Sequence, residues 1–421
     1  MGTVLAWVSH HDETPLVARL PVLWCDGAPL PMTNHPPRLR AAVGRAVRGR
    51  IAVAVVVASG AFVVGSCAIT GRPPSAIEPA TTATYGPRPR ADGPLRDLAR
   101  YRGIAIGSAA QPELIASNST YAGVLGSQFD MVTAENAMKW PAVHPDPNHY
   151  DFAAADALVA FARQHHMAVR GHNLLTGGTN TASWVLNGTF SRAQLTTIVR
   201  DHITTEVSHF RGQVVQWDVV NEALDPTGQL EANVWQRGIG SDYIDKAFTW
   251  AHAADPHALL FYNEDDVACD VCSARFPVAL EQHRDEAIYR LVAGMRHRGV
   301  PIDGVGLQMH LWSSPPDTSY LEGFFRRLRD LGLQVAVTEM DVRLPDSVAS
   351  QDLGLQADVY SSVLRACLAS SNCRTFVVWG FSDATSWIPS FIPGFGTGDL
   401  YDANYQPKPA FYALQRTLAG P

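Results

Sequence analysis

The sequence predicts an α/β fold, a single (β/α)8 barrel of the TIM-barrel class, on three observations. Eight short runs of β-prone residues recur after about residue 95. Stretches whose apolar residues recur at helical spacing lie between several of these runs. Polar side chains cluster at the ends of the runs, where barrels of this class build their functional sites. Strands that alternate with helices imply parallel βα units, and eight such units close a barrel.

The β-prone runs are rich in aliphatic and aromatic residues. In chain order they are IAIGSA (104–109), DMVTAEN (130–136), MAVRGHNLL (167–175), VVQWDVVNE (214–222), ALLFYNEDD (258–266), GVGLQMHL (304–311), QVAVTEMDV (334–342) and TFVVWGFSD (375–383). The intervening helical stretches include DFAAADALVAFARQHH (151–166), RAQLTTIVRDHITTEVSHF (192–210), DEAIYRLVAGMRHRG (285–299) and LEGFFRRLRDLG (321–332). An open, doubly wound sheet is the alternative fold. It is disfavoured because no GxGxxG or phosphate-binding loop follows any run.

The composition suits one large globular domain, which we place at residues 95–421. A chain of 421 residues could hold two average domains, yet a single barrel can reach about 250 residues or more. Hydrophobic residues make up 46% of the chain and supply material for a large core. The formal net charge of -7 argues against a nucleic-acid partner and favours a neutral or cationic ligand.

The N-terminal segment has the pattern of an export signal. An arginine-rich region precedes the apolar run IAVAVVVASGAFVVGS (51–66), which is short for a membrane-spanning helix of about 20 residues. The closing VGSC resembles the lipobox of bacterial lipoproteins, which implies that Cys67 is lipidated. We expect a signal peptide at 32–66 and a protein that is lipid-anchored on the outer side of the cell membrane, or secreted. An uncleaved anchor is the alternative, and residues 1–31 are expected to be untranslated or a disordered leader.

Residues 67–94 are rich in Pro, Ala, Thr and Gly without apolar periodicity, which predicts a tether. An even number of cysteines remains in the domain, and in an exported chain this suggests two short-loop disulfides, Cys269–Cys272 and Cys367–Cys373. The CxxC of the first pair could instead bind metal or exchange electrons. Zinc is disfavoured because neither a second CxxC nor neighbouring histidines accompany it. We expect no metal and no cofactor.

Polar side chains end most of the β-prone runs. In a parallel barrel the carboxyl ends of all strands meet at one mouth, so these side chains should converge there. They are Glu135, Asn136, His172, Asn221, Glu222, Asn263, Glu264, Gln308, His310, Glu339, Asp341 and Trp379.

Two glutamates of this set follow the same pattern. Each comes after an apolar run, VVQWDVVNE for Glu222 and LQVAVTE for Glu339, and their spacing places them on the fourth and seventh strands. These strands face each other across the mouth of a closed barrel. Paired carboxylates flanking a pocket can cleave a glycosidic bond, since one protonates the leaving oxygen while the other attacks the anomeric carbon or activates water.

From about residue 95 to the C-terminus, the sequence resembles the family-ten glycoside hydrolases, typified by endo-β-1,4-xylanases. WDVVNEA is similar to the acid/base motif of that family, which implies that Glu222 is the general acid/base. VTEMDV resembles the nucleophile motif and implies that Glu339 is the nucleophile. GLQMHL resembles the sixth-strand segment, which implies that His310 hydrogen-bonds the nucleophile and that Asp341 holds His310. The resemblance implies a retaining hydrolase that cleaves xylan by double displacement.

Further motifs imply sugar binding. VTAENAMKW resembles the glycone-binding segment of the family, RGHNLL its third-strand element, and WGFSDATSW its eighth-strand platform. Tryptophan faces pack on pyranose rings and leave the hydroxyls to polar partners. Asn221 is expected to donate to the sugar 2-hydroxyl, a contact that can tighten in the transition state. The residues assigned to substrate binding are Glu135, Asn136, Lys139, His172, Gln308, Trp379 and Trp387.

Two segments depart from the family pattern. GHNLLTGGTNTASW (171–184) has Thr176 where a tryptophan is expected and Gly177 where a histidine would follow, and FIPGFGTGDL (391–400) adds Phe391 and Phe395. The glutamates are untouched, but the substrate stays open between xylan or xylo-oligosaccharides, a substituted xylan, another β-glycan and a glycoside with a non-sugar aglycone.

A β-glucosidase or glucanase is therefore an alternative to the xylanase. From a different class, a non-hydrolytic carbohydrate-binding lipoprotein is also an alternative, and the paired glutamates argue against it, since a binding protein needs no nucleophile. We expect a monomer that binds a polysaccharide or oligosaccharide, binds no nucleic acid, and meets the membrane only through its lipid anchor.

Overall fold

The structure, a computed structural model, describes residues 87–265, 278–347 and 349–420. Eight parallel strands follow each other in chain order around the sheet, and the last strand pairs with the first. The barrel strands β1–β8 are Ala105–Ala110, Met131–Ala134, Ala168–His172, Val214–Asn221, Leu259–Glu264, Gly304–Leu307, Gln334–Val342 and Cys373–Val378. The sheet is closed, so the predicted (β/α)8 barrel is confirmed.

Helices lie between the strands. Within the described ranges, α1–α14 are Leu95–Tyr101, Pro112–Ser117, Ser119–Gln128, Trp140–Val143, Ala153–Gln164, Ser183–Leu186, Arg192–His209, Val234–Gly238, Tyr243–Ala254, Val278–His297, Thr318–Asp330, Ser350–Ala369, Ile388–Phe391 and Pro409–Ala419. A 3-10 turn spans Gly178–Asn180. In these ranges, no helix combines the length and the apolarity needed to cross a bilayer.

Helices α7 and α11 begin at residues whose side chains cap them, and α11 buries one face. The Ser191 side chain accepts from the Gln194 backbone N–H, and Gln194 reaches back to the Ser191 N–H, so that a capping box begins α7. Asp317 begins α11 by accepting from the backbone N–H of Ser319, 2.8 Å away. The buried side chains of α11 recur at helical spacing and pack into the core: Leu321, Phe324, Phe325 and Leu328.

A disulfide joins the end of α12 to the start of β8. Cys367 and Cys373 are both buried, and their Cα atoms lie 5.1 Å apart. This is one of the two disulfides that the sequence predicts.

The two ends of the described domain lie side by side. The Nη2 atom of Arg88 donates to the Gly420 carbonyl at 3.1 Å. The Gln415 amide of α14 donates to the Gly93 carbonyl at 2.9 Å, next to the start of α1. The first and last helices therefore pack together.

A polar network fills the middle of the barrel. Arg170 of β3 is fully buried, and its guanidinium donates to both carboxylate oxygens of Asp218 and to the Gln216 side chain on β4. Gln216 donates in turn to the Thr375 hydroxyl of β8 at 2.9 Å. Because the charges are paired and bonded, the interior keeps a layer of polar residues beneath its mouth.

Strands β4 and β7 each contain a register shift near the mouth of the barrel. Asp218 lies opposite Phe261 of β5 and Asn221 lies opposite Asn263, so β4 has one residue more than β5 over this interval. Strand β7 likewise has one residue more than β8 over the interval Val337–Met340. Such a shift interrupts the strict alternation of inward and outward side chains.

The sixth β-prone run differs from its prediction as a single strand. β6 ends at Leu307, and a separate two-residue strand, His310–Leu311, lies beside β7. Between them Met309 has φ +63°, a left-handed conformation that no continuous strand contains. Leu344–Pro345 and Phe395–Gly396 form another short pair, which is antiparallel.

Several expectations concern residues outside the described ranges. These are the leader (1–31), the signal peptide (32–66), the lipidated Cys67, the tether up to residue 86, and the Cys269–Cys272 pair. Residues 87–94, the described end of the predicted tether, contain neither helix nor strand.

Candidate active site

Polar side chains from several strands meet at the carboxyl end of the barrel. Asn221 ends β4 and Glu222 follows it, Gln308 follows β6, and Glu339 lies in β7. The side-chain amide of Asn263, on β5, donates to Asn221 Oδ1 at 2.8 Å and to Glu339 Oε1 at 2.7 Å. One hydrogen-bonded cluster therefore contains both predicted glutamates.

Glu222 lies in a position open to solvent, and its backbone φ of 52° is left-handed. Its N–H donates to the Asn263 carbonyl at 3.0 Å. The carboxylate Oε1 accepts from Gln308 Nε2 at 2.8 Å and from Asn221 Nδ2 at 2.9 Å. Both amides contact the same oxygen, which leaves Oε2 as the atom that can carry a proton.

Glu339 has the opposite surroundings. Its side chain is nearly buried, with 4% exposure. Besides the Asn263 amide on Oε1, His172 Nδ1 lies 3.8 Å from Oε1 and His310 Nε2 lies 3.4 Å from Oε2. Donors on both oxygens favour the ionised form of this carboxylate.

The pKa values of the two glutamates move apart. The dense protein around Glu222, although its cleft is open to solvent, raises its pKa by desolvation, and the negative charges of Asp265 and Glu339 raise it further. Desolvation would also raise the pKa of Glu339, but neighbours led by His172 and His310 outweigh it and lower that pKa. One carboxyl is thus biased toward the protonated form and the other toward the charged form.

His310 connects Glu339 to a buried carboxylate. Its Nδ1 donates to Asp341 Oδ2 at 2.7 Å, and Trp387 Nε1 donates to the same oxygen at 2.7 Å. Burial alone would lower the pKa of His310, but Asp341 and Glu339 raise it to about 10. The raised pKa favours the protonated ring, which can donate from both nitrogens at once.

A second group of polar side chains follows β2 and lies beside Trp379. Lys139 Nζ donates to Asn136 Oδ1 at 3.0 Å and lies 5.7 Å from the centroid of a Trp379 ring. Gln111 Nε2 donates to Glu135 Oε2 at 2.9 Å. Burial raises the pKa of Glu135 and lowers that of Lys139. These side chains present donors and acceptors next to an aromatic ring, a combination that suits a sugar.

His172 links the site to the barrel interior. Its Nδ1 donates to Asp218 Oδ2 at 3.1 Å, and Asp218 is held by Arg170 beneath it. The His172 ring meets Trp379 edge to face, with 4.9 Å between centroids. The structure thus brings all the predicted catalytic and substrate-binding residues into one connected cluster.

The sequence predicts Asn263 at a strand end without indicating a role for it, and no motif marks Thr338. The Thr338 hydroxyl donates to Asn263 Oδ1 at 2.8 Å, which fixes the orientation of the amide toward Glu339. Gly306 of β6 makes room, since a Cβ there would lie 2.1 Å from Asn263 Oδ1. The sequence contains a polar residue inside an apolar run, Asn263, and a glycine in the next run, Gly306, but neither residue identifies its partner.

Thr176, which replaces an expected tryptophan, is nearly buried. Its carbonyl accepts from Trp235 Nε1 at 2.6 Å and from the Thr181 hydroxyl at 2.8 Å. The segment is therefore fixed by its backbone, and the Thr176 side chain offers no ring to the cleft.

The arrangement can perform acid/base and nucleophilic chemistry without a metal. Among the described residues, no group of three or more His, Cys, Asp or Glu side chains could hold a metal ion. A charged carboxylate and a protonatable one at the same mouth are the groups that glycosidic bond cleavage requires.

Comparison with known proteins points to the same chemistry. The sequence matches the family described as glycosyl hydrolase family 10 over residues 94–417. Endo-1,4-beta-xylanase B of Thermotoga neapolitana is 36% identical over 330 residues, which cover 78% of this chain and 92% of the relative. Endo-1,4-beta-xylanase A of Fusarium oxysporum f. sp. lycopersici is 33% identical over 300 residues, 69% of this chain and 88% of the relative.

Solved structures agree with the fold. Xylanase 10B from Thermotoga petrophila RKU-1, in complex with xylobiose, has a TM-score of 0.73 and 35% identity, covering 79% of this chain and 98% of that one. Native xylanase 10B from Thermotoga maritima has a TM-score of 0.73 and 36% identity, and the match covers 77% of this chain and 98% of that one.

Proposed function

The chain belongs to glycosyl hydrolase family 10, and from this membership and the site we propose that it is a retaining endo-β-1,4-xylanase. The observation that carries the proposal is the opposed bias of two carboxyls at one barrel mouth, Glu222 toward the acid and Glu339 toward the anion. The substrate class is supported by the names of the relatives, which are endo-1,4-beta-xylanases.

In the first step, we assign Glu339 as the nucleophile. Its carboxylate attacks the anomeric carbon, while Glu222 Oε2 gives its proton to the leaving glycosidic oxygen. A glycosyl ester forms on Glu339 and the leaving sugar departs with the proton. His310 and Asn263 hold the attacking carboxylate in place, at 3.4 Å and 2.7 Å.

In the second step, Glu222 changes from acid to base. Esterification removes the negative charge of Glu339, one of the causes that raise the pKa of Glu222. Glu222, now ionised, takes a proton from water, and the hydroxide attacks the same anomeric carbon and releases Glu339. Two inversions leave the configuration of the anomeric carbon unchanged.

Sugar binding is assigned to the groups on the rim of this pair. Glu135, Asn136 and Lys139 offer charged and amide groups to hydroxyls beside Trp379. Asn221 already donates to Glu222 Oε1, so its second amide hydrogen is the one available to a sugar 2-hydroxyl.

The test is a hydrolysis assay with product analysis. Purified protein is incubated with xylan, xylo-oligosaccharides and cello-oligosaccharides, and NMR follows the configuration of the first reducing sugar released. Release of β-anomers from xylan supports the proposal, and inverted α-anomers contradict it. Preferential cleavage of cello-oligosaccharides would favour the glucanase alternative, for which the buried Thr176 in place of a tryptophan gives a reason. Tight binding without cleavage of activated aryl xylosides would favour a carbohydrate-binding lipoprotein.

We also propose that the protein is exported as a monomer and lipid-anchored at Cys67 after cleavage of a signal peptide at 32–66. The support is the arginine-rich region, the apolar run and the VGSC motif in the sequence. Metabolic labelling with a radioactive fatty acid should mark the wild-type protein and not Cys67→Ser. Light scattering on the unlipidated variant measures its mass.

A further inference from the structure

An aromatic side chain projects into solvent beside the candidate active site. Phe391, the last residue of α13, is 73% exposed, more than any other large hydrophobic residue among those described. A phenylalanine in that state leaves most of its apolar surface in water, where the apolar face of a ligand can cover it.

Direct ring contacts connect Phe391 to the nucleophile. Its ring meets Trp387 with 5.3 Å between centroids, and Trp387 meets His310 with 4.9 Å. Trp387 also donates to Asp341, and His310 contacts Glu339. Phe391 therefore forms the outer end of a row of rings that begins at the reacting carboxylate.

The backbone around Phe391 is held on both sides. The Ile392 N–H donates to the Ile388 carbonyl at 2.8 Å, and the Asp346 N–H donates to the Gly394 carbonyl at 3.0 Å. The short strand Phe395–Gly396 pairs with Leu344–Pro345, directly after β7. The ring is thus presented by a fixed loop, which reduces the entropy lost when a ligand binds it.

Its neighbour Phe395 has a different part in the same loop. Phe395 packs edge to face on Trp312, with 4.8 Å between centroids, and Arg343 lies over the Trp312 ring. Packing of this second ring anchors the loop to the barrel. The loop therefore does not need Phe391 for its attachment, and the exposed Phe391 ring is free to bind a ligand.

We propose that Phe391, with the edge of Trp387, forms an additional subsite that stacks on the apolar face of a pyranose ring of the glycan, beyond the sugars held at Glu222 and Glu339. This deepens, and rests on, the proposed function. We assign a later sugar of a β-1,4-linked chain to this ring because the ring contacts through Trp387 and His310 join Phe391 to the site. The hydrogens on one pyranose face match an aromatic surface.

The test compares substrates of two lengths. Phe391→Ala should raise KM for xylohexaose about fivefold, the order expected for one aromatic contact, and leave KM for an aryl β-xyloside unchanged. Phe391→Tyr, which keeps the ring, should restore the wild-type KM. The matched control is Tyr412→Ala, which removes another exposed aromatic residue, on α14, and should change neither value.

Two results would overturn the subsite. One is an unchanged KM for xylohexaose in Phe391→Ala, and the other is an equal loss on both substrates, which would indicate damage to the catalytic residues. Unfolding temperatures should match the wild type. If the wild type cleaves neither substrate, the proposed function fails, and calorimetric affinities of the same variants for xylohexaose then decide whether the subsite exists.

Discussion

Glu222 and Glu339 have the same side chain and contrary surroundings. Two amides contact one oxygen of Glu222, whereas an amide and two imidazoles surround Glu339. Coulomb repulsion between the pair adds to the bias, because ionisation of one disfavours ionisation of the other. The division of labour therefore depends on a few neighbouring atoms.

Alanine in place of each glutamate should separate their roles. Glu339→Ala should abolish turnover of every substrate, since no ester can form. Glu222→Ala should lower kcat on xylan by about 10²–10⁴-fold, the usual contribution of a general acid. On aryl xylosides whose leaving groups need no proton, its first step should be spared, which pre-steady-state release of the phenol measures. Equal losses on activated and unactivated substrates would contradict the assignment of Glu222.

Asn263 should control the acidic limb of the pH profile. In the wild type, activity should fall at low pH as Glu339 takes up a proton, and at high pH as Glu222 loses its proton. Asn263→Ala removes a donor that favours the charged form of Glu339, so the acidic limb of kcat/KM should move about one pH unit upward. Thr338→Val, which loses only the hydroxyl that orients Asn263, should move it less in the same direction. An unmoved acidic limb in Asn263→Ala would rule out this positioning role.

The positions of the glutamates could be predicted from sequence because each polar residue ends an apolar run. The partners of Glu339 could not. Asn263 contacts it because Gly306 leaves space and Thr338 turns the amide, and these residues come from three separate strands. Such complementarity depends on three-dimensional packing that no spacing along one strand records.

The strands that carry the glutamates are irregular where their alternation should matter most. The register shifts in β4 and β7 allow neighbouring residues, such as Thr338 and Glu339, both to contact Asn263. The alternating pattern of a regular strand assigns adjacent residues to opposite faces. It therefore predicts the strands but not the shared contact of Thr338 and Glu339 with Asn263. The break of the sixth run at Met309 also escaped prediction, because a left-handed backbone conformation leaves no mark in the hydrophobicity pattern.

Loss of the disulfide between α12 and β8 should weaken the fold and spare the site. Replacing Cys367 and Cys373 with serine should lower the free energy of unfolding by about 2 kcal/mol, the loop-closure contribution expected for so short a loop. Urea titration measures the loss, and kcat on xylan should stay at the wild-type value. Unfolding midpoints that coincide with those of the wild type would argue that the bond is dispensable.

The closed barrel as a whole was predictable because eight βα units and their polar strand ends are periodic features of the sequence. The burial of its charged residues was less predictable from the sequence. Arg170, Asp218 and Asp399 lie inside a protein whose composition gives no sign of their burial. The inward positions of Arg170 and Asp218 follow from closure of the sheet, whereas Asp399 lies in the segment after the short strand Phe395–Gly396.

Asp399 should make the stability of the molecule depend on pH. Burial raises its pKa well above the usual value, as do Asp383 and Asp341, against the effect of Lys408. The folded state thus binds this proton more tightly than the unfolded state. The contribution of protonated Asp399 to the free energy of unfolding is therefore complete at low pH and is lost as pH rises from about 4.

Asp399→Asn cannot ionise and should therefore lose less stability between pH 4 and pH 8. We expect about 1–3 kcal/mol of relative stabilisation at pH 8, measured by urea unfolding across the range. The exposed Asp330→Asn on α11 is the control and should follow the wild-type curve. Parallel curves for wild type and Asp399→Asn would show that Asp399 has no such effect.

The contact between α1 and α14 makes the domain nearly cyclic in space. Arg88 meets Gly420 and Gln415 meets Gly93, so a linker of a few residues could join the two ends. New termini could then be opened in a surface loop, giving a circular permutant with the same neighbours around every strand. The barrel requires the cyclic order of its βα units, and any of the eight could come first.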